Sequence, residues 1–152
     1  MSKNSKEMNL EEYRLKIING QVCPYCNSDV RIASELEVYG REYRGRKIHV
    51  CVKFPSCDSY VGSHDDGTPL GRLANKELRE WKELTHSHFD PIWKEEYVSR
   101  EELYVQLSNH LGRERKETHI GMFDVKDCRS TIKWAANLYN SFKEKNYGND
   151  RK

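Results

Sequence analysis

Four of the chain's five cysteines fall in pairs, Cys23-Pro-Tyr-Cys26 and Cys51-Val-Lys-Phe-Pro-Ser-Cys57. Two residues between the first pair allow a tight knuckle whose backbone N–H groups point at the sulfurs. A strand between the pairs brings the second pair round to complete a tetrahedron. Four thiolates fill the shell of one Zn²⁺ ion and leave no position for water, so the ion's binding free energy goes into folding rather than Lewis-acid chemistry. The competing account is four ordinary buried cysteines, against which stands the specificity of CPYC followed by a strand. His49 and His64 are rival ligands, either of which would replace Cys51 or Cys57 in a site of three cysteines and one histidine. A thioredoxin-like redox motif is disfavoured, because there CPYC opens a helix, whereas here Asn27-Ser28 leads into a strand.

Between the two pairs, Tyr39, Arg41, Tyr43, Arg44, Arg46 and Lys47 interleave cations with aromatics near a hairpin tip. Exposed tyrosines can stack on unpaired bases while cations neutralise phosphates, which makes Arg41, Tyr43, Arg44, Arg46 and Lys47 a candidate nucleic-acid contact. The same residues would also serve as a solvated edge that prevents sheet-to-sheet aggregation. Six histidines, with Asp65, Asp66, Asp90 and Asp124, raise a different chemistry: a hydrolytic metal or general base built from His86, Asp90, His119 and Asp124. Spacing gives this nuclease alternative little support, since no HExxH and no paired acidic motif occurs, and helix caps account for the aspartates. No catalytic residue is assigned. Cys128 falls on the apolar face of a helical segment and is expected to be buried and inert.

The elements that must position these groups follow from periodicity and punctuation. Asn9 caps a helix over residues 10–19, and Gly20 stops it just before Cys23. Val30, Ile32, Leu36 and Val38 alternate with Arg31, Glu35 and Glu37, which predicts one half-buried strand over 30–38 with Ser34 as a break. Residues 47–52 and 59–63 supply two more, giving three short antiparallel strands. After Gly67-Thr68-Pro69 the period lengthens. Leu70, Leu73, Leu78, Trp81, Leu84, Thr85 and His88 mark one face of a helix capped near Asn75 and ended by Pro91. Ser99 with Glu102 is a capping box for a second helix that carries Leu103, Leu107 and Leu111 inward and stops at Gly112. Asp124 with Asp127 opens a third, along which Val125, Cys128, Ile132, Ala135, Tyr139 and Phe142 keep the helical period. HSHFDPIW and HIGMFD read as packing corners, closed by Phe89, Trp93, Ile120, Met122 and Phe123.

At 152 residues neither half is long enough to bury a generous core, which favours a metal staple. Lys and Arg number 26 against 24 Asp and Glu, so the net charge of +2 creates no global field for a polyanion and any such site must be a local patch. The N-terminal stretch has no apolar run of the signal type and no segment approaches a membrane span, so a cytoplasmic location is expected. In that reducing compartment paired cysteines are better read as metal ligands than as disulfides.

CPYCNS, the long hairpin and CVKFPSCDSYVG resemble the zinc ribbons at the C-terminus of type IA topoisomerases, in which an aromatic-Pro element, here Phe54-Pro55, separates the second pair. That resemblance implies use of the aromatic and basic surface on single-stranded DNA. CPYC, VYGREY, CDSYVGSH, GTPLGRLAN, ELREWK, HSHFDPIW and HIGMFD together are similar to a family of small zinc-finger-containing proteins of phages and bacteria, over roughly residues 20–140. This second resemblance implies the ribbon and no activity. The expected architecture is α+β: a flexible N-terminus and leading helix (1–20), a Cys₄ zinc ribbon (21–68), a three-helix region (69–144) and a flexible tail (145–152). The expected function is a non-enzymatic, nucleic-acid-binding zinc ribbon, with single-stranded DNA among the ligands considered. The alternative from another class is an adaptor that displays its surface to a host protein.

Overall fold

The computed structural model describes residues 9–150, and side chains as far as residue 145. The first eight residues, read from sequence as frayed, lie outside the described part. The fold is α+β, with a small three-stranded antiparallel sheet followed by helices. The chain divides into two compact units, Met1–Glu77 and Leu78–Lys152.

In the first unit, helix α1 (Leu10–Ile18) starts where Asn9 accepts a hydrogen bond from the Glu12 N–H, and it ends as Gly20 turns left-handed at φ 72°. A Cβ at Gly20 would lie 2.6 Å from the Gly71 carbonyl oxygen, so both the turn and the close approach require glycine. Strand β1 (Val30–Ser34) pairs with β2 (Lys47–Cys51), which pairs with β3 (Tyr60–Val61), in the order β1-β2-β3. The continuous strand expected over 30–38 does not form. Ser34 is a helix cap rather than a break, its hydroxyl accepting from the Glu37 N–H, and residues Glu35–Tyr39 form a short helix, α2, closed by Gly40 in the left-handed region. The alternation of Leu36 and Val38 is too short to separate a strand from a single helical turn, and the cap with its glycine stop decides it.

Register assigns the two faces of the sheet. Val30, Cys51 and Val61 share one side with Cys23 and Leu73; Ala33, Ile48, Val50 and Tyr60 share the other with Val38 and Phe54. Leu70 and Leu73, expected on a helix, instead lie in an extended return that bridges Ala74 to Tyr60 and Pro69 to Ser63. Leu73 is buried there while Leu70 is exposed.

The second unit is helical. Helix α3 (Lys76–Lys94) begins directly after Asn75 and runs past Pro91 instead of ending there. Proline removes one N–H from the ladder, but Phe89 and Ile92 on either side of it are both fully buried, and Glu95 N–H bonds the Pro91 carbonyl at 2.9 Å. Burial of that turn outweighs the lost bond. The inward row is Leu78, Thr85, Phe89 and Ile92, while Leu84 is exposed. Helix α4 (Arg100–Leu111) starts at Ser99, whose hydroxyl accepts from the Glu102 N–H, and stops at Gly112. After two short 3₁₀ turns, Arg115–Glu117 and Ile120–Met122, helix α5 (Val125–Asp150) opens where Asp124 accepts from the Asp127 N–H at 2.8 Å. It continues to Asp150, through Gly148 and into the segment 145–152 expected to be a tail. Phe89, Ile92, Leu103, Leu107, Ile120, Phe123, Cys128 and Ala135 form the interior, so both corner motifs serve packing. No helix among the described residues is long and apolar enough to cross a membrane.

Candidate metal centre

The first knuckle is shaped before any ion is considered. Cys23 N–H bonds the Ser28 carbonyl and Asn27 N–H bonds the Cys23 carbonyl, both at 2.9 Å, with Asn27 left-handed at φ 63°. The second knuckle leaves β2, with Phe54 N–H on the Cys51 carbonyl at 2.9 Å and Cys57 N–H on the Lys53 carbonyl at 3.2 Å. These two turns bring the sulfurs of Cys23, Cys26, Cys51 and Cys57 within 4.8 Å of one another. Cys23 Sγ lies 3.6 Å from Cys57 Sγ, and Cys26 Sγ lies 3.4 Å from Cys51 Sγ. Those separations are close to the roughly 3.8 Å expected between sulfurs set tetrahedrally at about 2.3 Å from zinc, and far beyond a disulfide bond of about 2.05 Å.

A shell of hydroxyl and amide groups surrounds the sulfurs. The buried Ser59 Oγ is 3.1 Å from Cys23 Sγ and 3.6 Å from Cys57 Sγ, Ser28 Oγ is 3.3 Å from Cys26 Sγ, and Lys53 N–H donates to Cys51 Sγ at 3.4 Å. Such donors offset thiolate charge and fix sulfur orientation. As thiols the ligands differ: hydrogen bonds from Ser28 and then Cys51 bring Cys26 down to about 6, while burial pushes Cys51 up to about 12 and raises Cys57. A half-buried cluster of this kind does not ionise completely by itself at neutral pH, and a dication that replaces the protons would resolve it.

His49, a rival ligand, is held elsewhere, its Nε2 lying 2.9 Å from the Gly67 carbonyl oxygen. Neither His49 nor His64 joins the cluster. Among the described residues no other group of three or more His, Cys, Asp or Glu side chains comes within metal-binding range. His86 and Asp90 pair along one helix face at 3.1 Å, Trp93 Nε1 donates to Asp90, His119 packs on the Tyr104 ring, and Asp124 caps α5. The structure does not gather these four into one site.

Comparison with known proteins agrees with the geometry. Residues 19–138 match a family described as a zinc-finger-containing domain. The chain belongs to that family. No curated protein and no solved structure matches it. The match and the four-cysteine cluster together make this zinc-finger-containing domain a zinc-binding protein, with Cys23, Cys26, Cys51 and Cys57 as the residues that would hold the ion.

On the opposite face of the sheet, α2 delivers the domain's hairpin loop. Glu35, only 6% exposed, accepts hydrogen bonds through Oε1 from the backbone N–H groups of Tyr43, Arg44 and Gly45 at 2.8–3.0 Å. Those bonds, Tyr43 and Arg44 first, hold its carboxyl below the usual glutamate range against the opposing cost of burial. Arg41 places its guanidinium 4.5 Å from the centre of the Tyr43 ring.

The five expected contact residues are therefore not one patch. Arg41, Tyr43 and Arg44 are exposed on the anchored loop. Arg46 is turned aside, paired with Asp65 and donating to the Ser63 carbonyl. Lys47 stands opposite Ser34 with the side-chain parity of His49 and Cys51, on the metal side of the sheet. Sequence reasoning placed Glu35 on a solvent face and overlooked both serines beside the sulfurs. A usable signal for the serines was present, because each stands two residues after a ligand, in Cys-Asn-Ser and Cys-Asp-Ser.

Proposed function

We propose that this chain is a nucleic-acid-binding zinc ribbon in which the ion is structural and the hairpin loop makes the contact. The observation that carries this reading is the loop itself: Arg41, Tyr43 and Arg44 project into solvent from a backbone pinned by Glu35. A pinned loop loses little freedom on binding, so its cations can engage phosphates at low ordering cost. The closed set of four thiolates leaves the ion no open position, which supports a non-enzymatic role. The likeness of the cysteine pattern to topoisomerase ribbons, and of the wider motif set to zinc-finger-containing proteins of phages and bacteria, is consistent with this reading.

The test is a salt titration of binding to single- and double-stranded DNA and RNA by the zinc-loaded chain. Affinity should fall steeply as salt rises, and neutralising Arg41 and Arg44 together should flatten the slope by roughly 0.7–0.9 for each phosphate that the variant no longer neutralises. Absence of salt-dependent binding to all four ligands, with zinc and fold intact, contradicts the proposal.

One observation favours the adaptor alternative. Ile32 and Leu36 are 51% and 59% exposed, and bare aliphatic side chains suit a protein partner better than a polyanion. Ile32→Ser combined with Leu36→Ser should leave nucleic-acid affinity unchanged and, if the adaptor reading holds, abolish binding to a host protein.

A further inference from the structure

Asp and Glu make up 24 of the chain's 152 residues, yet none falls between Cys128 and Lys143 on α5. Lys126, Arg129, Lys133, Asn137 and Asn140 follow one another there at intervals of three and four residues, so they share one helix face, and all five are exposed. The opposite face, through Cys128, Thr131 and Ala135, is buried. Other cations of this unit are engaged: Arg113 holds Asp127 at 2.8 Å, Arg115 holds Glu101 at 2.8 Å, and Arg100 lies 5.0 Å from the centre of the Tyr104 ring. Asp124, the remaining acid at this end of α5, is taken up as the helix cap. Among the described residues no carboxylate stands within ion-pair distance of Lys126, Arg129 or Lys133. Beside this face a groove of about 520 Å³ is lined by Lys133, Trp134, Asn137 and Ser141 of α5 and by His110 of α4. His110 Nε2 lies 3.0 Å from Ser130 Oγ and its ring stacks on Trp134 at 5.6 Å and 21°, which fixes that wall.

We propose that this face of α5 is a second nucleic-acid contact, through which the helical unit grips the phosphate backbone without reading sequence. It goes beyond the hairpin reading, because every residue it uses belongs to the other unit. Charge complementarity carries it. A net charge of +2 gives the whole chain no field for a polyanion, so attraction must come from a place where cations stand unopposed, and α5 is such a place. Asn137, Asn140 and Ser141 add uncharged donors for phosphate oxygens on and beside the same face. A protein partner fits less well, since lysine is depleted from protein interfaces and the three cations here would have to be desolvated. No ordering cost opposes the contact, because the cations project from a helix whose other side is already packed.

The experiment measures binding of the full zinc-loaded chain to an unstructured oligothymidylate and to a hairpin duplex DNA across a salt series. Lys126→Gln, Arg129→Gln and Lys133→Gln together should weaken both complexes and flatten the salt slope by roughly 2–3, the sum expected for three lost phosphate contacts. A control triple removes the same charge from exposed lysines of the same unit that have glutamates next to them in sequence: Lys94→Gln, Lys116→Gln and Lys145→Gln. It should leave the slope nearly unchanged. Arg129→Lys with Lys133→Arg, which keeps the charges, should bind as wild type, and circular dichroism with zinc analysis confirms that each variant is folded and loaded. If both triples flatten the slope alike, the effect is net charge only; if neither does, the face takes no part in nucleic-acid binding and an acidic protein surface is the partner left for it. Either result overturns the proposal. The hairpin reading survives both as long as neutralising Arg41 and Arg44 still flattens the slope, and it fails by itself if only the α5 triple has an effect. If wild type binds neither ligand in a salt-dependent way, both fail.

Discussion

In residues 9–77 the buried apolar side chains besides cysteine are Ile18, Ala33, Ile48, Val50, Val61, Leu73 and Ala74, with Val61 and Leu73 packed on the cysteines and Ala33, Ile48 and Val50 on the other face of the sheet; in residues 78–145 they include Phe89, Ile92, Leu103, Leu107, Ile120 and Phe123. In the first unit Tyr39, Tyr43, Tyr60 and Phe54 form a partly exposed edge-to-face cluster, whereas in the second Phe89, Tyr104 and Phe123 are buried. A chain segment of this size, short of large buried side chains, needs a staple, and the four thiolates provide a place for one. Cysteine itself shows the contrast. Cys23, Cys26, Cys51 and Cys57 stand among hydroxyl and amide donors that suit a thiolate, while Cys128 is wholly buried and its thiol is raised by that burial. The same residue type is placed to hold an ion in one unit and is a small apolar filler in the other, and the environment decides which.

The largest expected effect breaks the comparison open. Chelation of zinc, or Cys26→Ser, should remove on the order of 10 kcal/mol from the first unit and unfold it, while the helical signal of the second persists in circular dichroism. A single cooperative loss of all helix would show that the two units do not differ in the way described. Phe89→Ala is the converse perturbation, and should cost about 3–5 kcal/mol in thermal or denaturant unfolding of the second unit without changing zinc stoichiometry. Ser59→Ala sharpens the contrast within the metal site: losing the hydroxyl between Cys23 and Cys57 should lower zinc affinity about 10- to 100-fold in a competition assay with a chromophoric chelator.

The smallest effect is local to the hairpin. Because the Glu35 carboxyl is lowered by the backbone N–H groups it accepts, its anchoring is fully present above the ordinary glutamate range and is lost as pH falls through the lowered value. Glu35→Ala should therefore speed hydrogen exchange at the Tyr43, Arg44 and Gly45 amides at neutral pH with zinc content unchanged, and unchanged protection would show that the loop is held by other interactions.

Much of this was legible in the sequence because the signals were local. The pairs CPYC and CVKFPSC, the caps at Asn9, Ser99 and Asp124, and the stops at Gly20 and Gly112 each act within a few residues, and the structure repeats them. What was not legible depended on distance or on competition. Glu35 looks solvent-facing in an alternating segment, and only the closure of a loop eight to ten residues later gives it partners. Pro91 is a valid local stop, overruled by the burial of Phe89 and Ile92 on either side. The edge-to-face cluster joins Tyr43, Tyr39, Tyr60 and Phe54 across the sheet, so no window along the chain contains its geometry.

The central claim is that one zinc ion is held by four sulfurs in the first unit. X-ray absorption at the zinc edge of the purified native chain tests it most directly. The account predicts one zinc per chain with four sulfur scatterers at about 2.3 Å and no nitrogen or oxygen in the first shell. A light scatterer at about 2.0–2.1 Å, as His49 or His64 would supply, or a native chain that contains no zinc, would contradict it.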